Sequence, residues 1–274
     1  ASLNSLYEAA REASKGVDWK ASVQRYNSLL LFNISKTRAE LLAGKDIRRG
    51  FICFDICERG KLRHIKSVHF SERVVQKSFC TNIIYPTFTR SLGRASKEKA
   101  PVRDQQTDDS LAEAFQENGR EGGILLIDFS DYFGNVAHEP LFEIYRQIFT
   151  DPRVIALGMS FISAFGDKGL GLGSETSQIN AVMLPNRADH YAKEVLRIRG
   201  YGRYMDDTYL LHHSIAYLEE CLEKLRAIYS EYGIVINEKK TKIVDLKHGF
   251  TFLKTHFYIT ETGRIIKKPC RDSI

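Results

Sequence analysis

Aspartates stand at the ends of two apolar runs in this sequence. Asp206 and Asp207 lie in "RYMDDTYLL" (203–211), and Asp128 ends the apolar run of "GGILLIDFSDYF" (122–133). Carboxylates are rarely buried without a partner, and like charges held close together repel unless a cation lies between them. Hard carboxylate oxygens suit magnesium. The pattern therefore favours a site in which these acids bind Mg²⁺.

Such a site would support nucleotidyl transfer, because two Mg²⁺ ions ~3.5–4 Å apart can activate a 3′-hydroxyl and stabilise a leaving pyrophosphate. Two other interpretations stay open on these residues alone. Paired aspartates in a turn usually form only a solvated turn, and an aspartate at a strand end, such as Asp128, is often a helix N-cap. Neither interpretation explains the apolar strands that flank both acidic sites.

The composition is that of a soluble globular chain. Of its 274 residues, 43% are apolar and 27% are charged. This length is enough for one large domain or two small ones. The formal net charge of +6 permits a polyanionic partner without requiring one. The five cysteines form no CxxC pair, which disfavours a zinc site and a disulfide framework. No signal peptide or membrane-spanning stretch is visible, so we expect a cytoplasmic protein without membrane association.

Two strands are needed to bring the acids together. We predict a hairpin over "RYMDDTYLL" with the aspartates at its tip, and a buried strand over residues 124–127 that ends at Asp128. Two buried strands that each end in an aspartate can place these side chains next to each other at one edge of a sheet. The positions of the aspartates would then be set by the strands that precede or follow them.

The remaining elements follow from periodicity and turn residues. Alternating Ile52, Phe54 and Ile56 predict a hairpin over 48–66, followed by a helix that Ser71 caps and that ends near Pro86. The polar stretch 91–109 reads as a loop. Further helices are predicted over residues 1–46 (mostly helix), 110–118, 138–149, 151–165, 177–198 with a kink at Pro185, and 215–233. Short strands, including "IVIN" (234–237), complete the chain.

Five blocks in this order resemble reverse transcriptases, over about residues 50 to 260, and "YMDD" (204–207) is similar to their signature hairpin. The blocks are "GKLRHIKSVHFSERVVQKSF" (60–79), "LLIDFSDYFGNVAH" (125–138), "GLGSETSQINAV" (171–182), "YGIVINEKKTKIV" (232–244) and "FTFLKTHF" (250–257). The first is similar to the fingers of bacterial enzymes, with Glu72 where they have Asp. The Ser177-Gln178 pair is similar to enzymes of diversity-generating retroelements and related prophage genes, whereas intron and retron enzymes usually have Ser-Pro.

The resemblance implies an α+β fold of right-hand polymerase fingers and palm. The palm is expected to be an antiparallel, ferredoxin-like sheet backed by helices, and the thumb to be absent or minimal. The implied segments are fingers over 1–120, the first part of the palm over 121–150, a return to the fingers over 151–176, and the second part of the palm with the primer-grip hairpin over 177–274.

The resemblance also implies roles for individual residues. Catalysis and binding of two Mg²⁺ ions fall to Asp128, Asp206 and Asp207, with the carbonyl of Phe129 completing a coordination sphere. Nucleotide binding falls to Lys61, Arg63, Phe133, Gly173, Gln178 and Lys240, and the primer grip to Phe252, Leu253 and Lys254. Phe133 would be the steric gate that excludes a 2′-hydroxyl. Plainer interpretations stay open, namely a core aromatic at Phe133, a solvated basic turn at Lys61 and Arg63, a helix-surface amide at Gln178 and a solvated lysine at Lys240.

The function implied is RNA-directed DNA polymerisation, in which deoxynucleotides are added to a primer on an RNA template. The expected partners are template RNA, a DNA or RNA primer, deoxynucleoside triphosphates, and a helper protein or structured RNA from the same locus. Two alternatives remain: a defence or abortive-infection polymerase that makes untemplated DNA, and an RNA-binding, maturase-like scaffold. The presence of all the acids needed for catalysis argues against the scaffold.

Overall fold

The computed structural model describes residues 2–58, 60–91 and 105–270. The chain divides into two compact units. The first comprises residues 1–91 and 142–180, and the second comprises residues 92–141 and 181–274. Within the described ranges, no helix combines the length and the apolar character needed to cross a bilayer. The predicted fingers and palm boundaries stay a prediction.

The first unit is mainly helical and carries one long hairpin. The hairpin pairs β1 (Phe51–Glu58) with β2 (Lys61–Val68) in antiparallel register, as predicted. The helices described in this part of the chain are Leu3–Ser14, Ala21–Ser28, Leu30–Leu42, Phe70–Phe79, Tyr85–Ser91, Pro152–Ser163 and Glu175–Met183, the last of which runs into the second unit. Most of residues 1–46 are therefore helical, as predicted.

The helix after this hairpin differs from its prediction at both ends. It begins at Phe70 with His69 as N-cap, not Ser71, because β2 runs to Val68 and leaves one extended residue before the helix. It also does not end near Pro86. A π-helical turn over Cys80–Ile84 leads without a break into the helix Tyr85–Ser91, and the irregular hydrogen bonding of this turn accommodates the missing N–H of Pro86.

The second unit is built on a four-stranded antiparallel sheet. Its strands are β3 (Gly123–Ile127), β4 (Gly200–Tyr204), β5 (Asp207–His212) and β6 (Lys242–Asp245), in the order β4-β5-β3-β6. β3 lies between two neighbours, and Ile124, Leu125 and Ile127 are almost wholly buried. A central strand covered on both faces needs apolar residues at successive positions, and "ILLI" supplies them.

A second sheet of three strands completes this unit. It contains β7 (Phe250–Phe252), β8 (Thr255–Ile259) and β9 (Ile265–Pro269). Aromatic and aliphatic side chains from both sheets and from the helix Gln105–Asn118 form one core. Its buried members are Leu111, Phe115, Ile124, Tyr209, Leu211, Leu246, Phe250, Phe252, Phe257 and Ile259. The primer-grip segment is therefore a hairpin, as predicted, and it packs on the four-stranded sheet.

Helices flank these sheets. Those of the second unit are Tyr132–Asn135, Asn186–His190 and Ile215–Glu231, with a π-helical turn over Tyr191–Val195, whereas the helix His138–Ile148 runs from the second unit into the first. Leu218, Cys221 and Leu225 recur at helical spacing and are fully buried, so they form the face by which the longest of these helices packs. The helix predicted to kink at Pro185 is instead divided there, since one helix ends at Met183 and the next begins at Asn186 with Pro185 as its N-cap.

Two further predictions need correction or limitation. Residues 105–109 belong to the helix Gln105–Asn118 and not to a loop, whereas the rest of the predicted loop, apart from Ser91 at the end of the preceding helix, lies outside the described residues. "IVIN" is not a strand. It contributes one isolated bridge, Ile236 with Phe129, because this segment passes only the end of the sheet where Asp128 leaves β3.

Candidate active site

Asp128 and Asp207 lie next to each other because of the strand register. β3 and β5 pair antiparallel, and Ile127 faces Thr208 at the last paired position. Asp128 follows Ile127 in the chain, and Asp207 precedes Thr208. Both carboxylates therefore leave the sheet at the same end of two adjacent strands, as the two apolar runs predict.

The hairpin between β4 and β5 places the third acid. Tyr204 pairs with Asp207, so Met205 and Asp206 form a two-residue turn. Met205 has φ of 55°, a conformation that glycine usually supplies at this point of a short hairpin. Asp206 thus lies at the tip of a buried hairpin, one residue from Asp207.

The charges of these acids act on one another. Burial, then the neighbouring carboxylates of Asp206 and Asp128, raises the pKa of Asp207 from 3.8 to about 7, while the ammonium of Lys240 opposes the rise. Lys240 Nζ lies 2.8 Å from Oδ1 and 3.1 Å from Oδ2 of Asp128, and this contact raises the pKa of Lys240. Three carboxylates and one ammonium therefore share a single electrostatic environment.

The segment "INEKKT" (236–241) holds Asp128 from the side. The amide N–H of Asn237 donates to the carbonyl of Asp128 at 2.7 Å, and the amide N–H of Asp128 lies 3.3 Å from Oγ1 of Thr241. Asn237 Nδ2 lies 3.4 Å from Oδ2 of Asp128. Asp128 is consequently fixed by contacts of its own backbone and does not cap a helix. The N-cap position of the helix Tyr132–Asn135 is occupied by Asp131.

The backbone at Phe129 suits its predicted role as a carbonyl ligand. Its bridge to Ile236 is made by neighbouring groups, Asn237 N–H to the carbonyl of Asp128 and Ser130 N–H to the carbonyl of Val235. The carbonyl of Phe129 is not used in that pairing. The donor set of carboxylates and a carbonyl is the oxygen chemistry that hard divalent cations prefer.

The oxygen donors therefore fit a divalent cation in kind, although they are not gathered into a closed set. Among the described residues, no three His, Cys, Asp or Glu side chains are grouped so that they could hold a metal ion. Asp128 is instead paired with Lys240. A cation would have to compete with this ammonium for the carboxylate oxygens of Asp128.

Phe133 lies on the short helix after β3. Its ring is half-buried and contacts the ring of Tyr132 edge-on, with the centroids 5.9 Å apart. Tyr132 is buried and donates its hydroxyl to the carbonyl of Ala181 at 2.6 Å. The helix is thus anchored by Tyr132, and Phe133 is not a fully buried core residue. Its role as a sugar gate stays a prediction.

The other nucleotide-binding candidates belong to the first unit. Arg63 lies on β2 opposite Ile56, and Lys61 is the first residue of that strand. Gly173 has φ of 92°, and a Cβ there would contact Ile65 at 3.7 Å. Its backbone conformation needs glycine, and it lies against the hairpin. Gln178 is partly buried on the helix Glu175–Met183.

A buried polar network, not anticipated from the sequence, joins two blocks of the first unit. Gln76 donates to Glu72 at 3.1 Å and accepts from the hydroxyl of Ser174 at 2.9 Å. Ser174 in turn lies 2.7 Å from the hydroxyl of Thr176. These side chains are nearly inaccessible to solvent. The "ERVVQ" helix and the Gly-rich block are therefore held together by hydrogen bonds, which explains polar residues in a packed helix.

The primer-grip candidates divide between core and turn. Phe252 is buried, and its ring contacts that of Tyr209 on β5 with the centroids 5.2 Å apart. Leu253 and Lys254 form the turn between β7 and β8, with φ of 46° and 65°. The ring of Phe252 packs the β7–β8 hairpin against β5, the strand that begins at Asp207. The primer-grip turn and the acidic site are therefore both positioned by β5.

Two residues of the site were missed at the sequence level. Arg203 and Asp189 form a buried ion pair behind the "YMDD" turn. Arg203 itself could have indicated this ion pair, because a charged residue inside a buried strand requires a buried partner. The partner could not be found by spacing, since Asp189 lies 14 residues away on another element.

Comparison with known families agrees with this arrangement. The sequence profile of the family described as "Reverse transcriptase (RNA-dependent DNA polymerase)" matches residues 55–257. The match covers well over half of the chain, and the chain therefore belongs to the reverse transcriptase family, a family of nucleotidyltransferases. A search of curated protein sequences finds no significant match.

Solved structures agree on the fold. Apo telomerase from Candida tropicalis, truncated from its C-terminal domain, matches with a TM-score of 0.57 and 13% identity over 80% of this chain and 55% of that one. Telomerase from Candida albicans, in a complex with the TWJ fragment of telomeric RNA, matches with a TM-score of 0.58 and 12% identity over 87% of this chain and 51% of that one. The chain spans about half the length of these telomerases. The predicted α+β polymerase fold is confirmed.

Proposed function

We propose that this chain catalyses RNA-directed DNA synthesis, adding deoxynucleotides to the 3′-hydroxyl of a primer on an RNA template. The observation that carries the proposal is the placement of Asp128 and Asp207 at the same end of two adjacent strands, with Asp206 beside them in the turn, where burial and the neighbouring carboxylates raise the pKa of Asp207 to about 7. Like charges held close together repel one another, so a protein has little structural reason to place three acids there unless they bind a cation.

Two divalent cations, which we propose to be Mg²⁺, would be held by Asp128, Asp206, Asp207 and the carbonyl of Phe129. When bound, such ions activate the attacking hydroxyl and neutralise charge on the phosphates. The chain's own contribution is to fix these oxygens on adjacent strands. A cation bound there would compete with the ammonium of Lys240 for the carboxylate oxygens of Asp128, and Lys240 would then be free to pair with the departing pyrophosphate.

Binding of the nucleotide is proposed for Lys61, Arg63, Gly173 and Gln178, and binding of the primer for the turn at Leu253 and Lys254. Arg63 offers a planar fork to phosphate oxygens, which a lysine does not. The conformation of Gly173 allows close approach of a ligand to the backbone. These roles depend on family resemblance together with the placement of each residue.

We further propose a bacterial enzyme of the diversity-generating retroelement or prophage type, on the basis of Ser177-Gln178. A helper protein or structured RNA from the same locus is proposed as a partner, because a net charge of +6 is modest for holding a polyanion. A cytoplasmic location accompanies this proposal.

Primer extension by the purified chain tests the polymerase assignment. Defined RNA and DNA templates are supplied with each nucleotide set, and Asp206→Ala is compared with Asp245→Ala. Asp245 is matched because it lies on β6 at the opposite end of the same sheet, facing Gly123. Loss of Asp206 should reduce synthesis by at least roughly a thousandfold, since metal stabilisation of the transition state is worth several kcal/mol.

Each outcome of this assay has a distinct meaning. Retained synthesis in Asp206→Ala, or equal loss in Asp245→Ala, contradicts the assigned site. Product formed without any template supports the defence or abortive-infection alternative. RNA binding by a wild-type chain that makes no product supports the scaffold alternative.

A second experiment tests Phe133 as the sugar gate. Phe133→Ala removes the ring that would overlap a 2′-hydroxyl, and overlap in a packed site costs about 1–3 kcal/mol. Incorporation of ribonucleotides relative to deoxynucleotides should therefore rise roughly tenfold to a hundredfold. Single-nucleotide kinetics and a thermal melt are measured together. An unchanged ratio in a folded, active variant would show that Phe133 is not the gate.

A further inference from the structure

The guanidinium of Arg203 is buried directly behind the catalytic turn. Arg203 is 3% exposed and Asp189 is 2% exposed. Nε and Nη2 of Arg203 lie 2.8 Å and 2.6 Å from the two carboxylate oxygens of Asp189, which is a bidentate pair. The hydroxyl of Tyr201 also donates to Asp189. Both carboxylate oxygens of Asp189 are therefore hydrogen-bonded to Arg203, which still has N–H groups to donate elsewhere.

Those remaining donors reach backbone carbonyls of two different segments. Nη2 donates to the carbonyl of Val182 at 2.7 Å, and Nη1 donates to the carbonyl of Met205 at 3.0 Å. Met205 is the first residue of the catalytic turn, and Asp206 is the second. One planar group therefore connects the helix that carries Asp189, the end of the preceding helix and the turn that carries a catalytic acid.

The conformation of Met205 explains why the turn needs such a contact. Its φ of 55° is costly for a residue that is not glycine, asparagine or aspartate, and it persists only where surrounding contacts hold it. The hydrogen bond from Arg203 is accepted by the carbonyl of this same residue. Stability alone does not explain the arrangement, because buried ion pairs are often replaceable by apolar residues without loss of stability.

We propose that Arg203 is a positioning residue for the polymerase reaction. It holds the Met205–Asp206 turn through the Met205 carbonyl, and Asp189 holds the guanidinium in place. The inference rests on the proposed function, because the turn matters for catalysis only if Asp206 does. The predicted consequence of losing the contact is a lower kcat with little change in the affinity for nucleotide.

Arg203→Lys separates positioning from charge. Lysine keeps a positive charge beside Asp189 but loses the planar fork, so it cannot hold the carboxylate and the Met205 carbonyl in the same geometry. We expect kcat to fall roughly tenfold to a hundredfold, as small displacements of reacting groups do, with KM for deoxynucleotide unchanged within about threefold. The rates are measured at a temperature at which circular dichroism shows both proteins folded.

Arg187→Lys is the matched control. Arg187 lies on the same helix as Asp189 and forms an ion pair with Glu231, but the two side chains are 63% and 55% exposed, so this pair lies at the surface. The same substitution there should leave kcat unchanged. An equal loss of kcat in both variants would attribute the effect to the helix and would overturn the proposal.

The methionines provide a readout that does not depend on activity. The chain has only three, Met159, Met183 and Met205, so a spectrum of protein labelled with ¹³C at the methionine methyl groups contains three signals. Met205→Leu assigns the signal of Met205. In Arg203→Lys this signal should shift or broaden while that of Met159, which lies in the other unit, stays in place.

The outcomes are separable from a failure of the proposed function. If wild-type protein extends no primer, the polymerase assignment fails, but the Met205 signal still shows whether Arg203 holds the turn. Wild-type kcat in folded Arg203→Lys, or an unmoved Met205 signal, overturns the inference. Should Arg203→Lys not fold, Asp189→Leu combined with Arg203→Leu removes both charges, and the same loss of kcat and shift of the Met205 signal are expected.

Discussion

The chain contains two hairpins that differ in what surrounds them. In the hairpin β4–β5, Tyr209, Leu210 and Leu211 are at most 3% exposed. In the hairpin β1–β2, the apolar residues Ile52, Phe54 and Ile56 are 39–50% exposed. The first is a core element that fixes acids in place, whereas the second presents side chains to solvent and to whatever binds there.

Their turns differ accordingly. Gly60 supplies the positive φ at the exposed turn, and a Cβ there would meet nothing within 4 Å. At the buried turn the positive φ belongs to Met205, which has a hydrogen-bonded support. A turn in open solvent needs glycine because nothing else stabilises it, while a turn inside the fold can carry a larger residue when its neighbours hold the backbone.

The largest effect expected from this difference is on stability. Leu210→Ala in β5 leaves a cavity at a fully buried position and should lower the free energy of unfolding by about 2–5 kcal/mol. Ile56→Ala in β1 removes a side chain that is 39% exposed and should cost well under half of that. Denaturant titrations of both variants measure the contrast, and equal losses would show that the two hairpins are equally embedded.

A smaller effect, on substrate affinity, is expected at the exposed hairpin. Arg63→Ala should raise KM for deoxynucleotide roughly tenfold to a hundredfold, the worth of one charged hydrogen bond, with kcat nearly unchanged. Lys66→Ala is the control, because side chains alternate along a strand and Lys66, three residues after Arg63, lies on the opposite face of β2. If both variants raise KM equally, the effect is one of net charge and not of a specific contact.

The smallest effect concerns Glu72, which is buried on the helix after the exposed hairpin and accepts a hydrogen bond from the amide of Arg49. Burial raises the pKa of Glu72 above 4.5. A raised carboxyl pKa contributes stability below the unfolded value, and this contribution is lost as pH rises through the folded value. Glu72→Gln should therefore melt at close to the wild-type temperature at pH 4 and above it at pH 7.

Thermal melts at the two pH values test this expectation directly. A lower melting temperature of Glu72→Gln at pH 7 would show that the carboxylate form is favoured in the folded protein, through its hydrogen bonds with Arg49 and Gln76.

The sequence was most informative where one local pattern decides the structure. The apolar run before Asp128 and the turn at Asp206 predict two strand ends, and the register of β3 with β5 confirms that they are neighbours. Contacts between distant segments were not predictable in this way. No spacing in the sequence indicates the hydrogen bonds between Asn237 and Asp128 or the ion pair between Arg203 and Asp189.

Helix ends were the least predictable local features. Ser71 is a good capping residue by type, but β2 ends at Val68 and the N-cap is His69, two positions earlier than predicted. Pro86 predicts the end of a helix because it lacks an N–H, but the π-helical turn before it accommodates the missing hydrogen bond and the helical segment continues. In both cases the neighbouring structure overrode a local preference that was correct in isolation.

The two π-helical turns, Cys80–Ile84 and Tyr191–Val195, also change the rotational phase of their helices. Each residue of an α-helix advances about 100° around the axis, so a turn closed by a wider hydrogen-bonded ring offsets everything that follows it. Before the first π-turn Phe79 packs on Phe161, and after it Phe88 packs on Tyr145. The continuous helical segment 70–91 can therefore direct Phe79 and Phe88 towards these two partners. In a regular α-helix of the same sequence, the two side chains would point at a different angle to each other. Deleting one residue within Cys80–Ile84 should restore the regular phase and misalign one of these contacts.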